Sequence, residues 1–350
     1  MNGRRLPVLP MAIVLAALFV TSGRAEANPY IAKSGAAMTK ARFGTCAVTG
    51  GFMHLYTALD NRLFEKYGIE PEHVVVRGGG VALAALAADE INFLYCNADA
   101  NIGRIATGVD AKLVASPLVG LPYVVLARKD IRTPADLRGK SIGVTRPGDF
   151  TYRLAKDFLK KVGLSDKEVT LATVGGTPTE RYTAMAQNIF QATVIQPPLD
   201  ARGKKDGFNV IYNLNDLGYP FIYSSLFTNS RTLKTRPMLV QKAVAALGES
   251  VYFAERNPDK AMASIGKTLR MSDADALQSA YNAYAKSLIN RRMTVPAKMV
   301  SEVVEIAREE GMVIRRKPAE VFDNTFVEQL ERSGFLKELW GGSVPEDRWR

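Results

Sequence analysis

The stretch Arg128–Thr145 reads Arg-Lys-Asp-Ile-Arg-Thr-Pro-Ala-Asp-Leu-Arg-Gly-Lys-Ser-Ile-Gly-Val-Thr, and it decides the fold of the chain. Thr133 can cap a short helical turn, and Pro134 suits the first position of that turn. Gly139 can end the turn, and an apolar strand, Ser141–Thr145, then follows. This order of elements in mid-chain predicts that one α/β lobe ends here and that a second lobe begins.

The rest of the chain repeats the same alternation of short apolar strands and amphipathic helices. This pattern is typical of parallel sheets built from βαβ units. The first strand is expected at Lys40–Ala47. The helix after it is the clearest in the sequence, because its apolar residues recur at helical spacing from Phe52 to Leu63 and Gly68 can end it. Beyond about Ile222 the composition indicates mainly helices.

We therefore predict an α/β protein with two lobes, each a mainly parallel sheet flanked by helices. The predicted divisions are an export signal at residues 1–27, a linker at 28–39, the first part of lobe 1 at 40–127, lobe 2 at 128–222, and a return to lobe 1 at 223–350. The C-terminal helices are expected to pack on lobe 1.

The first residues have the three-part pattern of an export signal. Arg4 and Arg5 precede an apolar run, Met11–Val20, and small residues follow at Ala25 and Ala27. We predict cleavage near Ala27 and a periplasmic mature protein; an uncleaved membrane anchor is the alternative. The run is far shorter than the roughly 20 residues that a spanning helix needs.

The chain is basic, with 46 Lys and Arg against 35 Asp and Glu and a formal net charge of +11. Because the basic residues are scattered and the protein is exported, nucleic acid is not expected as a partner. A small anionic ligand, a membrane surface and plain solubility all stay open as reasons for the charge. The only two histidines, His54 and His73, have no metal-ligand spacing, so no metal site is predicted.

Cys46 and Cys96 are the only two cysteines in the sequence. If both stand at the ends of neighbouring strands, export permits a disulfide between them. Neighbouring parallel strands seldom meet the geometry of a disulfide, so two buried thiols remain the alternative.

The loops that leave the carboxyl ends of parallel strands emerge at one edge of a sheet, where ligands bind. In lobe 1 this rule selects residues 48–51, 77–80 and 96–99, and in lobe 2 it selects 145–149, 175–177 and 196–198. Two such edges facing each other form a cleft. The predicted ligand contacts are Thr49, Gly50, Gly51, His54, Arg77, Gly78, Cys96, Asn97, Thr145, Arg146, Gly148, Gly176, Thr177, Gln196 and Pro198.

Several of these residues suggest an anionic ligand, while a neutral heteroaromatic ligand would also suit a cleft lined by Asn, Gln and Tyr. Free N–H groups at 49–51 precede a helix and favour an anion, although Thr49 can simply cap an ordinary turn. Arg77 can form two hydrogen bonds with a sulfonate, nitrate or carboxylate, or lie solvated at a strand end. For Thr145 and Arg146 a ligand role is favoured, and loss of the Arg146 side chain is expected to abolish anion binding. His54 can donate to a ligand or face solvent.

Three further side chains lie near the predicted cleft. Asp149 is expected to cap the following helix. Tyr123 and Tyr223 can close over a ligand or pack in the core. Neither Gly-Lys-Ser at 139–141 nor Gly-Lys-Thr at 266–268 completes a phosphate-binding loop, and no catalytic residue or cofactor is predicted.

Three phrases carry a resemblance to a known family: Gly-Gly-Phe-Met at 50–53, Tyr-Gly-Ile-Glu at 67–70 and Ala-Asp-Leu-Arg-Gly-Lys at 135–140. With the order of segments, they make the chain resemble the nitrate, sulfonate and taurine group of periplasmic solute-binding proteins that serve ABC importers. Similar proteins carry an acidic or aromatic residue where Gln196 precedes a proline. Ala88–Asn92 replaces a tighter turn in those relatives.

The resemblance implies the type 2 periplasmic-binding-protein fold and a function. It implies a monomer that holds a small anionic organic solute between its lobes, closes about a hinge and delivers the solute to an ABC permease. An enzyme of the same fold acting on a pyrimidine precursor is one alternative. A ligand-sensing partner of a membrane sensor kinase is another.

Overall fold

The computed structural model describes residues 28–174, 176–218 and 221–347, so the predicted export signal at 1–27 lies outside the described residues. Over those ranges the strands form two five-stranded sheets. The strands are β1 Thr39–Thr45, β2 Ile69–Val75, β3 Phe93–Asn97, β4 Lys112–Ala115, β5 Val124–Ala127, β6 Ser141–Val144, β7 Thr170–Thr173, β8 Ala192–Ile195, β9 Asn209–Asn213 and β10 Ser224–Thr228.

Helices connect the strands and make up most of the C-terminal part. They are α1 Met53–Asp60, α2 Leu63–Lys66, α3 Gly79–Ala87, α4 Asp99–Ala106, α5 Phe150–Lys161, α6 Pro178–Ala186, α7 Leu199–Lys205, α8 Ser230–Thr235, α9 Pro237–Arg256, α10 Pro258–Leu269, α11 Ala274–Tyr281, α12 Ala297–Glu309, α13 Thr325–Arg332 and α14 Phe335–Leu339. Among the described residues, none of these helices is long and apolar enough to cross a membrane.

The strand order is β2-β1-β3-β10-β4 in the first sheet and β7-β6-β8-β5-β9 in the second. β10 runs antiparallel to β3 and β4, and β5 runs antiparallel to β8 and β9, whereas β1, β2 and β3 are parallel, as are β6, β7 and β8. Each sheet is therefore mainly parallel, with one antiparallel strand that has crossed from the other lobe.

The first crossing lies earlier in the chain than the sequence predicts. The predicted boundary at residue 127 places Val124–Ala127 in lobe 1, but this strand pairs inside the second sheet. The chain therefore crosses between Ala115 and Val124. A short apolar run such as β5 is typical of a buried strand, but such a run does not indicate which of two sheets the strand joins.

The deciding stretch forms the predicted turn, but the Thr133 side chain makes no capping hydrogen bond to the N–H groups of the turn. Residues Pro134–Leu137 form a 3-10 turn, and the Asp136 carboxylate accepts hydrogen bonds from the N–H groups of Arg132 and Thr133 at 2.9 and 2.8 Å. Gly139 ends the turn at φ +72°, a conformation that favours glycine. β6 follows at once, so this capped turn delivers the chain into the second sheet.

The C-terminal helices contact both lobes, although they were predicted to pack on lobe 1. α9 packs against α1 and α2, and α12 packs against α4, all in lobe 1. α11 instead contacts α7 of lobe 2. Ala261 of α10 and Ala280 of α11 belong to the apolar core that contains the second sheet. The helical segment α10–α11 therefore bridges the two lobes.

Candidate ligand-binding cleft

A cavity of about 180 Å³ lies between the two lobes, at the carboxyl ends of the parallel strands. Its position agrees with the strand-end rule. Ten of the fifteen predicted contacts line it: Thr49, Arg77, Gly78, Cys96, Asn97, Thr145, Arg146, Gly176, Thr177 and Gln196. Gly175, the first residue of the predicted 175–177 loop, lies outside the described residues.

Four further predicted contacts lie outside the cavity lining: Gly50, Gly51, Gly148 and Pro198. A Cβ atom on Gly51 would stand 2.2 Å from Tyr223 Oη, and one on Gly50 would stand 2.9 Å from Pro198 Cδ. Close packing behind the cavity therefore requires glycine at 50 and 51. Gly148 does not line the cavity, and its carbonyl oxygen accepts a hydrogen bond of 3.0 Å from the Arg104 guanidinium.

Thr49 caps the short turn before α1, as the alternative predicted. Its hydroxyl oxygen accepts from Gly51 N–H at 3.4 Å and from the Gln196 side-chain amide at 2.6 Å. Because Thr49 belongs to lobe 1 and Gln196 to lobe 2, the second hydrogen bond links the lobes. The turn therefore contributes a contact between the two lobes and does not present a row of free N–H groups to a ligand.

His54 is fully buried and does not line the cavity, so both predictions for this residue are wrong. Its position on the first turn of α1 turns the ring into the core. Neither ring nitrogen has a hydrogen-bond partner among the described residues. Burial lowers the pKa of His54 from 6.5 to about 3, so the ring is neutral at physiological pH.

This buried ring should make the protein sensitive to mild acid. Between pH 6.5 and about 3 the unfolded chain binds a proton at His54 that the folded protein does not, so stability is complete above pH 6.5 and falls as the pH falls through this window. The expected loss is about 1.4 kcal/mol per pH unit. Urea titrations between pH 7 and 4 should show a shallower pH dependence in His54→Leu than in the wild type.

His73 provides the matched control, because its ring is only partly buried and shares a hydrogen bond of 3.0 Å with the Thr45 hydroxyl. We expect His73→Leu to change the pH dependence less than His54→Leu does. Equal pH dependence in His54→Leu and the wild type would contradict the assignment.

Cys46 and Cys96 form a disulfide, with Cα atoms 5.5 Å apart. β1 and β3 are parallel neighbours, and Thr45 pairs with Tyr95, so the two cysteines occupy the next position along the pair. The alternative of two buried thiols is therefore wrong, and Cys96 offers no thiol to the cavity. Both residues line the cavity as a covalent link between two strand ends.

Removal of this disulfide should destabilise the protein. The bridge closes a loop over a sequence separation of 50 residues, which restricts the unfolded chain. We expect the Cys46→Ser/Cys96→Ser double variant to lose about 2–4 kcal/mol of unfolding free energy in denaturant titrations. The wild type in reducing agent should show the same loss, whereas the double variant should not respond to the reductant; a response of the double variant would contradict this account.

The two predicted arginines line the mouth of the cavity and are exposed. Arg77 lies 3.4 Å from the Glu180 carboxylate across the cleft, and its side chain is 67% exposed. Arg146 is also exposed and faces Gly78 of the opposite lobe. A third arginine, Arg104, lies 3.7 Å from the Asp149 carboxylate.

Arg181 is not among the contacts predicted from the sequence, but it lines the cavity and is only 3% exposed. Its guanidinium donates to the Gly176 carbonyl at 3.1 Å, while its Nε has no partner among the described residues. No carboxylate of the described residues lies within ion-pair distance of it. Burial lowers its pKa to about 10, so it stays cationic at neutral pH.

The sequence does contain a pattern that could have indicated Arg181 as a residue of the site. Thr177 and Glu180 form a capping box, in which Thr177 Oγ1 accepts from the Glu180 N–H at 3.3 Å and the Glu180 carboxylate accepts from the Thr177 N–H at 2.6 Å. This pattern fixes the start of α6. Arg181 then lies one turn beyond Thr177, on the same side of the helix, at the predicted strand-end edge.

Polar and aromatic side chains complete the wall. The Asn97 amide of β3 donates to the Tyr123 hydroxyl at 3.0 Å, and the Thr145 and Thr151 hydroxyls are 2.9 Å apart. Tyr123 lines the cavity, whereas Tyr223 packs behind it against Tyr284. Asp149 stands at the start of α5, but its side chain makes no capping hydrogen bond.

The model of the NMT1/THI5-like family matches residues 50–261, more than half of the chain. The chain belongs to the NMT1/THI5-like family. This NMT1/THI5-like protein is 28% identical over 241 residues to a protein of Brucella abortus strain 2308 whose name assigns it provisionally as a binding protein. That match covers 67% of this chain and 73% of the relative.

Solved structures share the fold of this NMT1/THI5-like protein at low identity. The alkanesulfonate-binding protein SsuA of Xanthomonas axonopodis pv. citri, bound to MOPS, is 19% identical, with a TM-score of 0.68 and coverage of 83% of this chain and 100% of the other. The periplasmic nitrate-binding protein NrtA of Synechocystis PCC 6803 is 12% identical, with a TM-score of 0.66 and coverage of 89% and 92%. The predicted two-lobed fold is confirmed.

Proposed function

We propose that this protein is an extracytoplasmic receptor that binds a small organic anion between its lobes and delivers it to an ABC permease. The observation that carries the proposal is Arg181, a buried guanidinium without an ion-pair partner among the described residues, in the wall of an interlobe cavity. A buried charge is costly unless it is paired. An anion in the cavity supplies the missing partner.

The remaining charges of the lining support an anion rather than a cation. Arg77, Arg104, Arg146 and Arg181 line the cavity, whereas Asp149 is the only acidic residue of the described lining. The Asp149 carboxylate already lies beside Arg104. The cavity is thus a positive site, and sulfonates, carboxylates and nitrate match its guanidinium donors.

Two solved neighbours support a small anionic ligand, since one binds alkanesulfonates, which are organic anions, and the other binds nitrate. We further propose that residues 1–27 are removed on export, that the mature protein acts as a periplasmic monomer and that it does not transform its ligand. Contacts from both lobes would favour the closed arrangement, which the permease would recognise.

A thermal-shift screen of the purified mature protein tests the proposal, because a ligand that binds only the folded state raises the midpoint of unfolding. Ethanesulfonate, benzoate and nitrate represent the anions, and ethanol and benzamide serve as neutral controls. We expect at least one anion, and neither control, to raise the midpoint, and mass spectrometry to recover the bound anion unchanged. Binding of neutral compounds alone, or chemical conversion of the ligand, would overturn the proposal.

A further inference from the structure

Two residues of the cavity lining have side-chain amides in which the NH₂ group donates a hydrogen bond, while the carbonyl oxygen accepts none from the described residues. The Gln196 amide donates to Thr49 Oγ1 at 2.6 Å, and the Asn97 amide donates to the Tyr123 hydroxyl at 3.0 Å. Gln196 Oε1 and Asn97 Oδ1 are buried and have no hydrogen-bond partner among the described residues. An unpaired buried acceptor destabilises the protein, because burial removes its hydrogen bonds to water without replacing them.

The two oxygens come from opposite lobes. Asn97 ends β3 in lobe 1, and Gln196 follows β8 in lobe 2 and is only 3% exposed. A ligand that donates hydrogen bonds to both oxygens gains them only when the lobes are closed around it. Such donors would therefore add to closure as well as to affinity.

The charge of the site restricts the kind of donor. Arg181 is buried in the same wall, Arg104 and Arg146 also line it, and the Asp149 carboxylate is engaged by Arg104. An ammonium group would meet this positive field with only neutral amide oxygens as partners. A hydroxyl or an amide-type N–H satisfies the same oxygens without adding positive charge.

We propose that the natural ligand is an anion that also carries a neutral hydrogen-bond donor, held by Asn97 and Gln196, and that these amides discriminate against an ammonium at the same place. The inference rests on the proposed function, because it takes the anion at Arg181 as given. It goes further by naming the second recognition element of the ligand and the two residues that determine specificity.

Calorimetry with two matched series tests the inference. Each series keeps the anion and changes one group: ethanesulfonate, 2-hydroxyethanesulfonate and 2-aminoethanesulfonate; and benzoate, 4-hydroxybenzoate and 4-(aminomethyl)benzoate. In at least one series we expect the hydroxyl compound to bind about five- to tenfold more tightly than the parent anion, the gain of one or two hydrogen bonds. The ammonium compound should bind more weakly than the parent.

Isosteric variants test whether Gln196 and Asn97 are the residues that discriminate against an ammonium group. In Gln196→Glu and Asn97→Asp, a carboxylate replaces the neutral oxygen, so each variant should shift the ratio of ammonium to hydroxyl affinity toward the ammonium compound by about tenfold or more. Gln187→Glu is the matched control, since Gln187 is exposed and lies outside the lining. Its ratio should equal that of the wild type, and unchanged unfolding midpoints show that the variants fold.

The outcomes separate the two proposals. If anions bind but the hydroxyl gives no advantage, if the ammonium compounds bind most tightly, or if Gln196→Glu and Asn97→Asp leave the ratio unchanged, the inference is overturned and the anion receptor stands. If no member of either series binds, the anion receptor itself is overturned.

Discussion

Replacement of Arg181 by glutamine should weaken the binding of organic anions at least about 30-fold, because truncation of one partner of a buried charge pair costs about 2–5 kcal/mol. The side chain is 3% exposed and belongs to the cavity wall, so its contact with an anion would be shielded from water. Calorimetry with the strongest anion from the screen measures the loss.

The same variant should not destabilise the free protein. Arg181 lies buried with its Nε unpaired among the described residues, and burial lowers its pKa to about 10, which shows that the site disfavours its charge. Arg181→Gln should therefore unfold at the same temperature as the wild type or at a higher one. Loss of both binding and stability would indicate a purely structural arginine.

Arg77→Gln and Arg146→Gln are the matched controls. Both residues line the same cavity, but they are exposed, so water screens their charges. We expect each to weaken binding less than tenfold. The sequence favours a ligand role for Arg146; a large loss in Arg146→Gln with none in Arg181→Gln would support that prediction and place the anion at the mouth of the cavity.

The contrast between these arginines shows what the sequence can reveal about the site. Strand-end loops can be located from apolar periodicity, and this was enough to place Arg77 and Arg146 at the cavity. The burial of an arginine depends on which elements pack over it. Arg181 becomes a candidate only when α6, which follows the strand-end loop, is seen to turn its first-turn arginine into the cleft.

The fold was more predictable than the site because each lobe repeats a local pattern. The turn at Thr133, the end at Gly139 and strand β6 all follow from short-range chemistry. The place of β5 in the second sheet and the Cys46–Cys96 bridge depend instead on which strands become neighbours. His54 shows the same limit, since its side-chain direction depends on how the helix packs.

We expect the ion pair between Asp99 and Arg153 to stabilise the closed arrangement of the lobes. The two residues form an ion pair across the cleft, from α4 of lobe 1 to α5 of lobe 2, in which the Asp99 side chain is only 2% exposed. Removing one partner of a buried pair costs about 3–5 kcal/mol, because the other charge is left without compensation. In Asp99→Asn, Arg153 keeps its charge but loses this carboxylate partner.

Opening of the lobes would relieve that penalty, because Arg153 could then be hydrated. We therefore expect Asp99→Asn to shift the ligand-free protein toward an open arrangement and to weaken ligand binding, while the lobes stay folded. A cost of about 3 kcal/mol changes the ratio of closed to open molecules more than 100-fold. Small-angle X-ray scattering should show a larger radius of gyration, which a tightly bound ligand should reduce.

Two controls isolate the interlobe pair from a general charge effect. Glu168→Gln breaks an exposed pair with Arg138 within lobe 2, so its scattering should match the wild type. The Asp99→Asn/Arg153→Gln double variant removes both charges and should recover part of the closed population, because neither group is left charged and unpaired. Identical scattering of Asp99→Asn and the wild type would mean that ligand contacts and the Gln196–Thr49 hydrogen bond, rather than this ion pair, determine closure.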